Sequence, residues 1–148
     1  MCAIFKNDAH ILEEWIRHYI KEGVDHFYLI NNNSSDDYLF IISKYKEKIS
    51  LFQETRQYAQ IAAYHDYVLP HKSETKRNEM VNDLDELVHT HNGFDKISDY
   101  LKSLPDDISS VRVEWKLFGS NGHIEQPKNI IDSFVMRRKM INIWIISF

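Results

Sequence analysis

The sequence predicts an α/β fold built around a mainly parallel central sheet with helices on its faces. Three observations lead there. Short apolar runs at residues 2 to 5, 26 to 30 and 49 to 53 alternate with longer stretches of helical periodicity, and the joins between them are short. In addition, 43% of the 148 residues are hydrophobic, enough for one domain with a core. Strand, helix, strand, helix, strand with short joins describes crossover connections and parallel pairing.

The first strand is "CAIF" (2 to 5). "NDAHILEEWIRHYIKEGV" (7 to 24) follows as a helix, with Ile11, Leu12, Trp15, Ile16, Tyr19 and Ile20 on one stripe, Asn7 or Asp8 to cap its start and Gly23 to stop it. "HFYLI" (26 to 30) is the second strand, "NNNSSDD" (31 to 37) a polar loop, "YLFIISKYKEK" (38 to 48) a second helix and "ISLFQ" (49 to 53) a third strand. "QYAQIAAYHDYVL" (57 to 69) predicts a helix ahead of Pro70, "HKSETKRN" (71 to 78) a polar connection and "EMV" (79 to 81) a short strand. "FDKISDYLKSL" (94 to 104) has amphipathic helical spacing, and "SSVRVEWKLFG" (109 to 119) alternates as a strand does. With four glycines, three prolines and no repeat or low-complexity linker, a single domain over 1–148 is expected.

A net charge of −4 gives no general attraction for nucleic acid or an anionic membrane, so a bound phosphate has to be handled by local groups. A single cysteine, Cys2, excludes an intramolecular disulfide and reads as a small buried hydrophobe. No apolar run, "MINIWIISF" (140 to 148) included, is long enough to span a bilayer, and no secretory signal pattern opens the chain; the expected location is cytoplasmic.

"NDLDEL" (82 to 87) carries the chemistry. In an extended backbone, side chains at i and i+2 leave from one face, so Asp83 and Asp85 converge on one object, which must be positive. Open parallel sheets bind ligands beyond the carboxyl ends of their strands, where loop 31 to 37 and the acids both fall. Plainer readings stand beside this one. Acids after a strand also serve as helix N-terminal residues favoured by the macrodipole, and "NNNSSDD" also reads as a turn with an N-cap. "HTH" (89 to 91) suits an exposed polar loop better than a metal site, His10, His18 and His26 read as surface or satisfied core histidines, and Trp15 and Trp115 as core. Lys6 and Arg138 could touch phosphate, but a solvated charge is the default for both.

Taken in order, "CAIFKNDAHILEEWIRHYIKEGVDHFYLINNNSSDD", "NDLDEL" and "VEWKLFGSNGH" resemble the motifs of family-2-like glycosyltransferases with a GT-A fold, including the family 92 group, from Cys2 to about Arg138. The resemblance implies a nucleotide-diphospho-sugar transferase fold and metal-dependent transfer of a sugar from a nucleotide-sugar donor to a hydroxyl of a glycan, protein or small-molecule acceptor. It implies Asp83 and Asp85 as the site for Mn²⁺ or Mg²⁺ and the donor diphosphate, with Asp85 the more direct ligand; a Lewis acid there stabilises the charge left on the nucleoside diphosphate. It also implies that Phe5, Lys6 and Asn7, with Asn31, Asn32 and Asn33, hold the nucleoside, and that Gln60 and Tyr64 lie near the donor. The family usually carries an aspartate where this chain has Asn31; an amide can still bond a ribose hydroxyl or a base edge, without the charge. "GSNGH" (119 to 123) resembles a block on the sugar and acceptor side, its glycines allowing close backbone approach, and Glu114 and His123 are the candidates for a general base.

The family's domain usually runs on past the equivalent of Phe148. A second function class is therefore a shortened, catalytically impaired transferase fold acting as a nucleotide-binding or protein-interaction module, whose uncovered apolar surface a second copy would cover as a homo-oligomer. Haloacid-dehalogenase-like phosphatases also place an aspartate pair after a strand, but on the first strand and with threonine or valine four residues after the first aspartate, where this chain has Leu87.

Overall fold

Three parallel strands organise the first part of the chain. β1 (Cys2–Phe5), β2 (Phe27–Asn31) and β3 (Ile49–Gln53) lie side by side in that order, with Cys2 opposite Tyr28 and Tyr28 opposite Ser50. The computed structural model describes residues 1–71, 80–90, 93–114 and 116–137, in two units: Met1–Ile108 and a second that begins at Ser109. The connection at 72–79, His91, Trp115, Arg138 and the apolar stretch 140 to 148 lie outside the described residues. Among the described residues no helix is long and apolar enough to cross a membrane.

Helices cover both faces of the sheet. α1 (Ala9–Lys21) buries Ile11, Leu12, Trp15, Ile16 and Tyr19, the stripe its spacing predicts, and Trp15 packs its ring on Phe27 of β2 at 5.6 Å. Beside it α2 (Tyr38–Lys44) buries Tyr38, Ile41 and Ile42, with Tyr38 edge-on to Phe5 of β1 at 5.3 Å. The alternate residues Cys2, Tyr28 and Ile30 point to the other face, where Ala63 and Val68 cover them. β2, flanked on both sides and covered on both faces, is buried along its whole length.

The second predicted helix, 38 to 48, stops at Lys44 and passes through a 3₁₀ turn, Lys46–Lys48, into β3. The third, 57 to 69, is irregular: α3 (Gln60–Ala63) widens into a π-helical turn, Tyr64–Val68, and tightens into a 3₁₀ turn, Leu69–His71, where Pro70 cannot continue the ladder. The chain then returns to the far side of β1, where Val81 pairs parallel with Cys2; the Cys2 amide donates to the Met80 carbonyl (2.8 Å) and the Asn82 amide to the Cys2 carbonyl (3.2 Å). The sheet order is therefore β3, β2, β1 and then residues 80 to 82, and it reverses between β1 and that last segment.

α4 (Ile97–Ser103) is shorter than the predicted 94 to 104 and is tied to the end of α1. The buried Glu22 carboxylate accepts from the Ile97 amide (2.9 Å), and the Glu22 carbonyl accepts from the Ser98 amide (3.1 Å). In the second unit the strand expected at 109 to 119 does not form among the described residues beyond one antiparallel bridge, Phe118 to Arg137. Val111, Val113 and Leu117 stay exposed there. Alternation makes a strand only where a neighbouring strand completes the hydrogen bonds and a core takes the apolar face.

Gly23 ends α1 with φ +89°, and a β-carbon on it would collide with the Ser98 hydroxyl. Gly23→Ala is expected to destabilise the protein by about 2 kcal/mol or more, from the left-handed backbone plus the clash. A melting temperature equal to that of the wild type would contradict this packing of α4 on α1.

Candidate functional site

The acid segment does not continue as a strand. After Asn82 it leaves β1 and turns at Leu84 and Asp85, with the Glu86 amide donating to the Asp83 carbonyl (3.1 Å). Burial nonetheless alternates: Asn82 and Leu84 are buried, while Asp83 and Asp85 are exposed. Both carboxylates are thus open to solvent, with buried Leu84 between them, although the turn removes the extended backbone on which the i, i+2 expectation rested.

The inner face of α1 fixes this backbone. Trp15 Nε1–H donates to the Asp83 carbonyl (3.1 Å) and His18 Nε2–H to the Val88 carbonyl (2.7 Å). The Tyr19 hydroxyl accepts from the Val88 amide (3.0 Å) and from Asn82 Nδ2 (2.6 Å) and donates to the Glu86 carbonyl (3.2 Å). Asn82 Nδ2 reaches the same Glu86 carbonyl at 2.9 Å. Burial pushes the Tyr19 phenol up to about 12, so it stays protonated at all ordinary pH. Glu86 is raised above the usual carboxylate range, first by desolvation and then by the charges of Asp83 and Asp85. None of these holding residues was singled out by sequence as part of the site; their types, a tyrosine, a tryptophan and a histidine on an apolar stripe, fit a core equally well.

Where the 80 to 82 segment turns away, the outer edge of β1 is left to other partners. The Ile4 amide donates to the Tyr64 hydroxyl (3.2 Å), and burial raises the Tyr64 pKa. Gln60, one turn earlier, extends Nε2 to Asp83 Oδ1 at 3.5 Å. Tyr64 therefore borders the site while holding the β1 edge, and Gln60 touches the acid loop directly. A cleft of about 550 Å³ opens here, lined by Ile4, Phe5, Lys6, Asp8, Asn32 and residues 57 to 60.

At the ends of β1 and β2 the asparagines divide by position. Asn31 is only 3% exposed. Its Oδ1 accepts from the Ser34 amide (2.9 Å), and its Nδ2 donates to the Tyr38 hydroxyl (3.1 Å) and to Gln53 Oε1 (2.7 Å). The amide expected to meet a nucleoside is thus turned into the fold, where it shapes the loop. Asn32 lines the cleft and ties its Nδ2 to the carbonyls of Glu54 and Arg56, each at 3.0 Å. Asn33 is exposed and reaches the Thr55 carbonyl at 3.3 Å. Asn7, exposed and left-handed with φ 59°, receives the Ser35 amide on Oδ1 (2.8 Å) and gives its own amide to Ser34 Oγ (2.9 Å). Phe5 contributes its carbonyl to the Asn32 amide (2.8 Å), and Lys6 is exposed at the cleft.

Behind the cleft, Arg56 forks onto Glu54 through Nε (3.0 and 3.1 Å) and NH2 and also reaches Asp66 of the π turn (2.8 Å). This guanidinium, with the Arg56 amide, holds the Glu54 carboxyl down to about 2, and it lowers Asp66 as well.

Glu114 and His123 belong to the second unit, and both are exposed. The His123 ring lies edge-on to Phe134 at 5.7 Å. Its amide donates to the Ser120 carbonyl (2.9 Å), closing a turn whose central residues Asn121 (φ 52°) and Gly122 (φ 82°) are both left-handed. Gly122 has nothing within 4 Å of where a β-carbon would stand, so its place in "GSNGH" answers to the turn rather than to close backbone approach. Among the described residues, no group of three or more His, Cys, Asp or Glu is arranged to hold a metal ion.

Parallel strands whose order reverses at β1 make this an open-sheet α/β unit, and Gln60 links its cleft to Asp83. Comparison with protein families makes this specific: the model of Glycosyltransferase family 92 matches residues 1–142, and the chain belongs to that family. Searches of curated proteins and of solved structures gave no match.

Two outcomes are expected. Tyr19→Phe leaves the Val88 amide without its partner, the Glu86 carbonyl keeping Asn82 Nδ2, at a cost of about 1–3 kcal/mol, and amide exchange at residues 83 to 88 should rise more than in β2; uniform exchange changes would contradict the clamp. The lowered Glu54 pKa contributes stability that is fully present above its ordinary value of 4.5 and is lost as pH falls toward about 2. In denaturant titrations across that window the stability gap between wild type and Glu54→Gln should therefore narrow with falling pH, and a gap independent of pH would contradict the Arg56 pairing.

Proposed function

We propose that the chain is a metal-dependent glycosyltransferase of GT-A architecture that moves a sugar from a nucleotide-sugar donor to an acceptor hydroxyl. The observation that supports this reading is the match to glycosyltransferase family 92, together with Gln60, which lines the cleft and reaches Asp83 of the acid loop at 3.5 Å. Asp83 and Asp85 would hold a divalent cation, Mn²⁺ or Mg²⁺, whose remaining ligands would come from a diphosphate and water. Bound there, the cation would supply Lewis-acid stabilisation of the leaving nucleoside diphosphate.

The chain's own groups would do the rest. Lys6, at the carboxyl end of β1, brings a positive charge to a cleft otherwise lined by uncharged groups and Asp8. Asn32 and Gln60 bring amide groups that can orient a ribose or a phosphate, and Gln60 steadies Asp83. Asn7, Asn31 and Asn33 hold the loops between which the nucleoside would sit, while Phe5 lines the cleft at β1 and Tyr64 holds the neighbouring Ile4 amide. Glu114 or His123 would take the proton of the acceptor hydroxyl as general base, which requires hydrogen-bond reach of that hydroxyl in the complex.

Calorimetric titration of UDP and GDP with and without Mn²⁺, on the wild type and on Asp85→Ala, tests the proposal. Binding that needs Mn²⁺ and falls at least about tenfold in the variant is the expected result, the loss of one charged ligand being worth about 1.4 kcal/mol or more. Binding unaffected by either change would overturn the metal role of the acid loop.

A further inference from the structure

The chain has eight tyrosines, and one is unlike the rest. Tyr19, Tyr38, Tyr45, Tyr64 and Tyr67 engage their hydroxyls in hydrogen bonds, and Tyr28 and Tyr100 pack their rings against His71 and Phe94. Tyr58 has neither kind of partner among the described residues and is fully exposed, at 101% of its reference area. Its backbone is left-handed, with φ 54°, a conformation that a bulky L residue adopts only at an energetic cost and that clusters at ligand sites. Asn7 and Asn33, the other left-handed non-glycine residues described in the first unit, are asparagines, which tolerate it. Tyr58 lines the cleft with Lys6, Asn32 and Gln60.

An aromatic face held out beside amide and ammonium groups is suited to a flat, polar-edged ring. The order of groups on this wall says which end of a nucleotide it meets. Gln60 reaches the acid loop at Asp83, and Tyr58 stands two residues further along the same wall. A nucleotide sugar carries its charge at the diphosphate and its flat ring at the base. We propose that Tyr58 is the stacking platform for the base of the donor nucleotide, an assignment that rests on the nucleotide-sugar reading above. Stacking is tolerant of base identity, so Tyr58 supplies affinity and orientation, while the amide groups around it choose among bases.

Titrations of UDP, GDP and inorganic pyrophosphate in the presence of Mn²⁺, on the wild type, Tyr58→Ala and Tyr58→Phe, test this. Tyr58→Ala should weaken the tighter nucleotide about 5- to 100-fold while leaving pyrophosphate affinity unchanged, and Tyr58→Phe, which keeps the ring, should bind as the wild type does. Equal nucleotide affinity in wild type and Tyr58→Ala overturns the proposal and leaves the donor site standing. A parallel loss of pyrophosphate affinity overturns it too, since the change would then act through the cleft as a whole. If the wild type binds neither nucleotide nor pyrophosphate, the donor reading itself fails and the stacking role goes with it.

Discussion

Trp15, His18 and Tyr19 leave one face of α1 and give their polar atoms to the backbone of a loop some seventy residues further along the chain. The form of the acid segment follows from that grip. Free in solution, residues 82 to 88 would carry three neighbouring carboxylates that repel one another; in the fold, burial first and the charges of Asp83 and Asp85 second raise the Glu86 pKa. The α1 side chains satisfy amides and carbonyls that would otherwise be buried unpaired, and Leu84 adds an apolar anchor. Asp83 and Asp85 can then stand exposed on either side of Leu84. Because the contacts are so distant in sequence, the form of the loop depends on α1 being docked on the sheet.

A second constraint works from the other edge. β2 ends in Asn31, whose amide is shared between the turn into α2 and the end of β3, and whose carbonyl accepts from the Glu54 amide at 2.9 Å. This accounts for an amide where the family resemblance implies a carboxylate. The Nδ2 group donates to both Tyr38 and Gln53, donations an aspartate could not make, and a carboxylate at this buried position would bear a desolvation cost that the amide does not. The cleft-lining duty passes to Asn32, one residue on and facing the other way.

The parallel sheet was legible because its three strands are short apolar runs bounded by polar turns, and α1 because its stripe keeps a 3.6-residue period from Ile11 to Tyr19. The exposure of Asp83 and Asp85 on either side of buried Leu84 agrees with the alternation read from sequence, but the segment turns at Leu84 and Asp85 and does not extend as a strand. Other features were not legible. Local pattern marks Tyr19 as apolar and cannot say that its hydroxyl meets Val88, because that meeting depends on two distant elements packing. Asn31 and Asn32 are indistinguishable by residue type, and only the end of β2 decides which one turns inward. The alternation at 109 to 119 misled because periodicity reports a chain's capacity for pairing, whereas a strand needs a partner.

The π turn at Tyr64–Val68, closed by the Leu69 amide on the Tyr64 carbonyl, sets a limit on how this segment can vary. At its start Gln60 reaches the acid loop, in its middle Tyr64 meets Ile4 of β1, and Tyr67 donates to the Gln53 carbonyl of β3 at 3.0 Å. Deleting one residue would restore a regular α-helix and swing everything after the deletion by about 100° relative to what precedes it. The segment could then keep its hold on the acids or on β3, but not on both. A chain of this family that shortens this turn by one residue should therefore need a different group at position 60, a length-to-composition coupling that is readable in sequence alone.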